Sequence, residues 1–399
     1  MVICEESKCT GCMACYSACN SEAISITTDS KGFYIPEVNS ELCINCNKCK
    51  RVCPSLNEHD VFNFEQQAFA CWHKDEKIRM MSTSGGVFTG LARYVLSKQG
   101  VVFGVRFDDD FRAVHAEAVN LEQLKYFRGS KYIQSYVGNV YKTVKQRLES
   151  NRIVLFTGTP CQNAGLRIYL GKAYDNLITV DFICHSVPSP LVFKDYLEYI
   201  RKTIDSNITG INFRYKKPSW TVYSMRIDFI SRKSYIANYF TDPYLIGFSK
   251  DYFSKDCCHQ CKYTKPNRQS DITIADFWGY VSDDREYRNN EKGISLVLIN
   301  SEKGSNIFSA ISADYIVRQK SIHEAMKNKC LYTPFKKNPL SDDFWKEYLE
   351  HRDFELVKHK YFYRRRGSLK HRLSRLIDDY SFLMPKRCRR FYEVLKDKL

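Results

Sequence analysis

The alternation of apolar and polar positions divides the chain before any single residue type is considered. Through residues 1–58 the apolar stretches are short, "AISIT" after a cysteine run being one of them. Residues 59–67, "HDVFNFEQQ", interrupt the pattern and read as a linker. From Ala68 onward, helical and strand periods alternate. "GGVFTGLARYVLSKQG" sets apolar residues at helical spacing and ends on glycine, and "VVFGVRF" follows as a buried strand. "YVGNVYKTVKQRLES" predicts another amphipathic helix, running into the strand and turn of "RIVLFTGTPCQ". "NLITVDFICHS" repeats that strand-then-loop design, and "PLVFKDYLEYIRKT" supplies the next helix. "ITGINFRYKKPS" and "YSMRIDFIS" predict antiparallel strands, with shorter ones in "SDITIADFWGY" and "GISLVLINS". The pattern predicts an α+β chain whose mixed sheet is covered by helices. Its expected parts are a small domain over 1–58, an α/β domain over 68–334 and a helical extension over 335–399.

Composition narrows the class of protein. With 399 residues, two or three domains and a large core are available. No apolar run approaches the roughly 18–20 residues that span a bilayer. The N-terminus, "MVICEESKC", lacks a basic region followed by an apolar stretch, so a cytoplasmic location is expected. The net charge of +16 is concentrated at one end, since from Lys358 onward there are 14 Lys and Arg against 4 acids. Such a tail suits peripheral contact with an anionic membrane, an acidic partner, or simple packing of its Phe, Tyr and Leu on the main domain. Nucleic acid is disfavoured, because no recognised nucleic-acid module accompanies the charge.

The 17 cysteines change the picture most. In a long chain without a secretion signal, thiolate ligation is a better use of them than disulfides. "CTGCMACYSACN" and "CINCNKCKRVCP" carry one spacing twice: Cys9, Cys12, Cys15, Cys19 and Cys43, Cys46, Cys49, Cys53. A close triplet wraps three corners of a cubane, and the fourth cysteine of each run reaches the other cluster. The expected sets are therefore Cys9, Cys12, Cys15 and Cys53 around one [4Fe-4S] cluster, and Cys43, Cys46, Cys49 and Cys19 around a second. Pro54 matches the bacterial ferredoxin signature, while Asn20 replaces the proline of the first run, a change at a turn and not at a ligand. Structural zinc would pair two ligands with two, whereas here the spacing is three plus one and duplicated.

A second set of cysteines lies further on. Cys161 and Cys184 each follow a strand, where α/β proteins build sites, and Cys258 and Cys261 form a C-x-x-C just after Cys257. They either meet around one more cluster or remain two core thiols and a local knuckle. Cys4, Cys71, Cys330 and Cys388 have no partner at ligand spacing and read as ordinary thiols.

The order of "STSGG" (82–86), "GSKYIQS" (129–135), "GTPCQ" (158–162), "CH" (184–185) and "CHQCKYTKPNRQSDITIADFWG" (258–279) resembles the beta subunit family of coenzyme F-420 hydrogenases and dehydrogenases. The likeness runs to about residue 325, behind the ferredoxin-type module. It implies an iron–sulfur flavoprotein oxidoreductase with FAD beside an inner [4Fe-4S] cluster held by Cys161, Cys184, Cys258 and Cys261, three clusters in all. It also implies that Ser84, Gly85, Gly86, Ser130 and Lys131 line the flavin and substrate region. Their chemistry is compatible: Ser-Gly-Gly opening a helix offers backbone N–H groups to a phosphate. Lys131 suits an anionic ring, and Asp276 suits orienting flavin or substrate. His185, beside Cys184, suits a hydrogen bond to cluster sulfur or a proton-carrying role. Family members often have glycine after Cys-His where this chain has Ser186, so the small-molecule substrate, deazaflavin coenzyme or another, is the least constrained part. A redox partner protein or subunit is expected at the ferredoxin end. The rival reading is a non-enzymatic ferredoxin-type electron-transfer subunit of a larger complex.

Overall fold

A computed structural model describes residues 2–57, 62–280 and 291–363. The strongly basic part of the predicted tail, from residue 364, lies outside the described residues, as do residue 58 and positions 59–61 of the expected linker.

Thirteen strands form three sheets among the described residues. β1 (Ile24–Thr28) and β2 (Tyr34–Val38) make an antiparallel hairpin in the N-terminal domain. The main sheet draws on β3 (Gln67–His73), β4 (Val101–Phe107), β5 (Ala113–Ala118), β6 (Val154–Thr157) and β7 (Leu177–Phe182). A three-stranded antiparallel sheet contains β8 (Ile208–Tyr215), β9 (Ser224–Phe229) and β10 (Ser234–Asn238). β11 (Ile272–Asp276), β12 (Ser295–Ile299) and β13 (Tyr315–Lys320) then return to the main sheet. Its order is β13-β3-β12-β11-β7-β6-β4-β5. The four strands β4, β6, β7 and β11 pair in parallel, and antiparallel strands close both flanks.

The predicted strands and helices of the middle region stand where the periodicity put them, with helices at Val87–Ser97, Val140–Glu149 and Pro190–Ile204. β3 opens the main sheet directly after the linker. The central parallel strands are short and almost wholly apolar, because both faces are covered. Leu91, Val95, Val102, Leu155 and Val297 fill one face, and Phe103, Tyr141, Phe156 and Leu166 fill the other. A third core is mainly aromatic, built from Phe193, Tyr196, Phe213, Tyr244 and Phe253. The Ser341–His351 helix, in the segment expected to be an extension, inserts Phe344, Trp345 and Tyr348 into that core. The result is a mixed α/β fold with an eight-stranded sheet and a small N-terminal domain built on the β1–β2 hairpin.

That N-terminal domain is stitched to the rest. Phe33, at the end of its hairpin turn, is 1% exposed because it plugs into the aromatic core. Gly32 holds a left-handed φ of 80°, and a Cβ there would meet Leu191 Cβ at 2.3 Å, so only glycine fits. The Tyr34 amide donates to Gln134 Oε1 (2.8 Å), Ser189 Oγ to the Lys31 carbonyl (2.6 Å), and Lys31 pairs with Asp256 (3.0 Å).

Candidate iron–sulfur sites

The thiols of the two repeated runs lie close together in the N-terminal domain. Met13 and Asn47 adopt left-handed backbone conformations just before the short helices Ala14–Ala18 and Lys48–Arg51, curling each run around a centre. Cys9, Cys12, Cys15 and Cys53 line one hollow, closed by Ile3 and Pro54. Three thiols therefore come from the first run and the fourth from the second. Burial pushes Cys12 and Cys15 up, and both also feel the charges of Cys9 and Cys53. Cys4 lines the same hollow, where its interaction with Cys53 and Cys9 raises Cys4 and lowers both of them. Sequence reasoning set Cys4 aside because it lies outside the repeated spacing.

Cys43, Cys46 and Cys49 form the second group. Burial raises Cys49, which also feels Cys43 and Cys46. Cys19 packs in the small cluster that contains Cys49, Cys15 and Cys53. Cys46 is exposed, unlike every thiol of the first set.

The late cysteines converge from three segments. Cys161 sits in the first turn of the Pro160–Leu170 helix, whose start is fixed by a capping box between Thr159 and Gln162. Its sulfur lies 3.1 Å from Thr159 Oγ1, and burial raises its pKa to about 12. Cys184 follows β7 by two residues. Burial raises Cys184, and it also feels Cys161, Cys261 and Cys330. Cys258 feels Cys184 and Cys161 in turn. Cys330, read from sequence as an ordinary thiol, is thus a neighbour of this group. A single metal ion needs its sulfurs about 2.3 Å away, hence tightly clustered. Among the described residues no three His, Cys, Asp or Glu side chains are arranged that way.

A buried ion pair holds the C-x-x-C segment in place. Arg268 Nη2 donates to Asp181 Oδ2 (3.0 Å) and to the Phe182 carbonyl (3.2 Å), with both side chains no more than 2% exposed. Thr273 Oγ1 donates to Asp181 Oδ1 (2.6 Å). The pair ties the chain after Cys261 to the strand that ends before Cys184. No motif marked it, because a buried Arg–Asp pair between residues 87 apart leaves no local spacing.

The first thiol hollow and the late group are adjacent. A Cβ on Gly165, one turn beyond Cys161, would stand 2.9 Å from Cys12 Sγ. Tyr263 OH donates to the Pro54 carbonyl (3.2 Å), and Lys262 Nζ to the Asn57 carbonyl (3.3 Å). Burial raises Tyr263, which feels Cys161, Cys12, Cys261 and Cys53 together. Lys255, only 4% exposed, lies 4.7 Å over the Phe33 ring, and its charge favours the thiolates of both Cys9 and Cys257.

The residues expected around the flavin occupy two touching loops and one strand end. Ser130 donates its amide to Thr83 Oγ1 (3.0 Å), joining the 82–86 loop to the 129–131 loop. Gly85 is required by packing, since a Cβ would meet the Cys71 carbonyl oxygen at 2.3 Å, and its amide donates to Ser295 Oγ. Ser84 Oγ donates to the Ile294 carbonyl (2.6 Å). Gly86 has a φ of 96° and starts the Val87–Ser97 helix with no side-chain cap. Lys131 Nζ donates to the carbonyls of Tyr126, Arg128 and Gly129, and desolvation lowers its pKa to about 7 although the whole residue is half-buried. Asp276 pairs with Arg214 (3.0 Å) and accepts from Trp220 Nε1 (2.9 Å). Arg214 also donates to Tyr132 OH (3.2 Å) and lies 3.9 Å over the Tyr223 ring. His185 is held between Phe335 (3.8 Å) and Phe248 (4.9 Å), and burial lowers its pKa to about 4. Phe248 stacks on Tyr132 at 4.8 Å, so rings connect the late cysteines to the Arg214–Asp276 pair.

Two family models match parts of the chain. Residues 8–57 match the family model of the 4Fe-4S dicluster domain, and residues 151–325 match that of the C terminus of the coenzyme F420 hydrogenase/dehydrogenase beta subunit. No curated protein matches the chain. Among solved structures, the chain is similar to one from the xenon-derivatised F420-reducing [NiFe] hydrogenase complex of Methanosarcina barkeri. That likeness has 18% identity, covers 73% of this chain and 90% of the other, and has a TM-score of 0.42. Among the described residues no helix is long and apolar enough to cross a membrane. The chain thus joins a segment matching the 4Fe-4S dicluster domain to a segment, residues 151–325, similar to the C terminus of the coenzyme F420 hydrogenase/dehydrogenase beta subunit.

Proposed function

We propose that the protein moves single electrons through three [4Fe-4S] clusters to a flavin that exchanges them with a small organic substrate. The reading rests on one observation above others: Cys161, Cys184, Cys258 and Cys261 gather from three segments against the hollow lined by Cys9, Cys12, Cys15 and Cys53. Cys43, Cys46, Cys49 and Cys19 would hold the remaining cluster. Thiols ringing a hollow, with no tight single-ion site among the described residues, suit a cubane better than zinc.

FAD, when bound, would supply the conversion between single electrons and a hydride. The uncapped start of the Val87–Ser97 helix at Gly86 would take its phosphate, and Ser84, Gly85, Ser130 and Lys131 would line the same wall. Lys131 would turn from its own loop carbonyls toward an anionic group, and Asp276 would orient the ring system through Arg214 and Trp220. His185 would keep a hydrogen-bond donor beside the inner cluster. The deazaflavin coenzyme of the family's name, or another small acceptor, would be the substrate.

The alternative is an electron-transfer subunit without flavin. It is favoured by the engaged Gly85 amide and by the three carbonyls already satisfying Lys131. Counting iron, sulfide and flavin after anaerobic purification separates the two. The oxidoreductase reading expects about twelve iron atoms and one flavin per chain, and about eight iron atoms in Cys161→Ser with residues 2–57 still folded. Flavin-free protein with about eight iron atoms in the wild type would refute it.

A further inference from the structure

The two expected cluster sites of the N-terminal domain face opposite ways. The site of Cys9, Cys12, Cys15 and Cys53 turns inward, against Gly165, Lys255 and Tyr263. The site of Cys43, Cys46 and Cys49 turns outward. Ile44 is 72% and Leu42 52% exposed, and Asn45, Cys46, Asn47 and Lys48 are exposed with them. Immediately beyond, the Lys48–Arg51 helix carries Lys48, Lys50 and Arg51, three of the five Lys and Arg residues in positions 1–57. None of the three forms an ion pair among the described residues. The domain as a whole is not basic, with six Asp and Glu over the same positions, so the concentration is local.

We propose that this outward face is the electron port of the protein and docks an acidic electron-carrier protein. The inference rests on the cluster reading of residues 2–57. Electron transfer weakens steeply with distance, so an external donor must reach the cluster that is nearest the surface. Cys46 marks that point. Leu42 and Ile44 provide a small apolar contact, fitting a transient redox encounter with little buried area. The unpaired cations around it steer a negatively charged partner and govern the rate of encounter. In each encounter the carrier is oxidised by one electron and the cluster at Cys46 is reduced by one. The electron then has only the inward site, and beyond it Cys161 and Cys261, as its next stop.

The test uses the full chain with its clusters reconstituted, and a reduced acidic two-cluster bacterial ferredoxin as probe, mixed in a stopped-flow instrument. Lys48→Glu, Lys50→Glu and Arg51→Glu combined are expected to lower the second-order rate at least tenfold at low salt. They are also expected to abolish the fall of that rate with added salt. Ile44→Ser is expected to lower the rate about threefold with the salt dependence retained. Chemical titration to full reduction should give both variants the wild-type EPR intensity, which separates lost docking from lost clusters. Unchanged rates and salt slope in the charge variant overturn the proposal. Absence of any reduced-cluster EPR signal in the wild type overturns the cluster reading, and the port falls with it.

Discussion

Residues 2–57 and the larger described region, 62–280 with 291–363, fold by different means. The larger region has several continuous apolar cores, one of them dominated by buried rings, and its cysteine group lies at strand ends beside them. The smaller region has almost no core of its own. Its central cluster is Ile3, Cys15, Ile24, Cys49 and Cys53, with Cys4, Cys19, Tyr16 and Val38 around it. Thiols occupy the positions that Leu or Phe fill elsewhere. A domain of this size is marginal on its apolar burial alone, and metal binding then adds folding energy. The same residue type is thus structural in one region and an addition in the other.

Removing the iron should therefore break the comparison open. Oxidation in the presence of a chelator is expected to abolish amide exchange protection through 9–19 and 43–53, while β4, β6 and β7 stay protected. Hydrogen-exchange mass spectrometry resolves the two regions in one experiment. Protection at the tip of the β1–β2 hairpin should survive longest, because Phe33 is anchored in the aromatic core of the larger region and not by thiols. Retained protection across both cysteine runs would show that the small domain has another source of stability.

In the larger region the most damaging single change should involve no cysteine. Asp181→Asn leaves Arg268 buried beside a neutral partner, and breaking a buried pair costs about 3–5 kcal/mol. Denaturant unfolding should register that loss. On the proposed three-cluster reading, iron content should fall toward two clusters as well, since the chain after Cys261 is no longer fixed to β7. The double change Asp181→Leu with Arg268→Met removes both charges and should recover much of the stability. Recovery of stability without recovery of iron would mean that the pair positions the late cysteines as well as holding the fold.

The two regions also differ in how far their sequences disclose them. The repeated C-x-x-C-x-x-C-x-x-x-C run is a local pattern, and the crossing of Cys53 into the first hollow follows from its geometry alone. Strand and helix periods in 87–204 were equally readable, because short strands covered on both faces need continuous apolar runs. What sequence could not display is what depends on distant pairing. Arg268 with Asp181, Arg214 with Asp276, Tyr263 with Pro54 and Cys4 with Cys53 each join segments that share no period. The aromatic segment 341–362 looks like an appended helix by pattern, yet its rings complete a core begun at Phe193. The convergence of Cys161, Cys184 and Cys258 was open from spacing and became an expectation only through resemblance.

The smallest expected effect probes the seam between the regions. Tyr263→Phe removes one hydrogen bond, from the phenol to the Pro54 carbonyl, and leaves the ring between the Cys12 and Cys161 sides. A hydrogen bond of this kind contributes about 0.5–1.5 kcal/mol. Amide exchange in 54–57 should therefore accelerate by about tenfold or less, with cluster content unchanged. Tyr263→Ala also removes the ring, so water can enter the space between the two thiol groups, and exchange should accelerate well beyond the phenylalanine variant. Measured together, the two variants divide the seam into its polar and apolar parts. Equal effects would assign it to the hydrogen bond, and an effect of alanine alone would assign it to packing. The second outcome would make the ring the element that keeps the inward cluster site dry on the side facing Cys161.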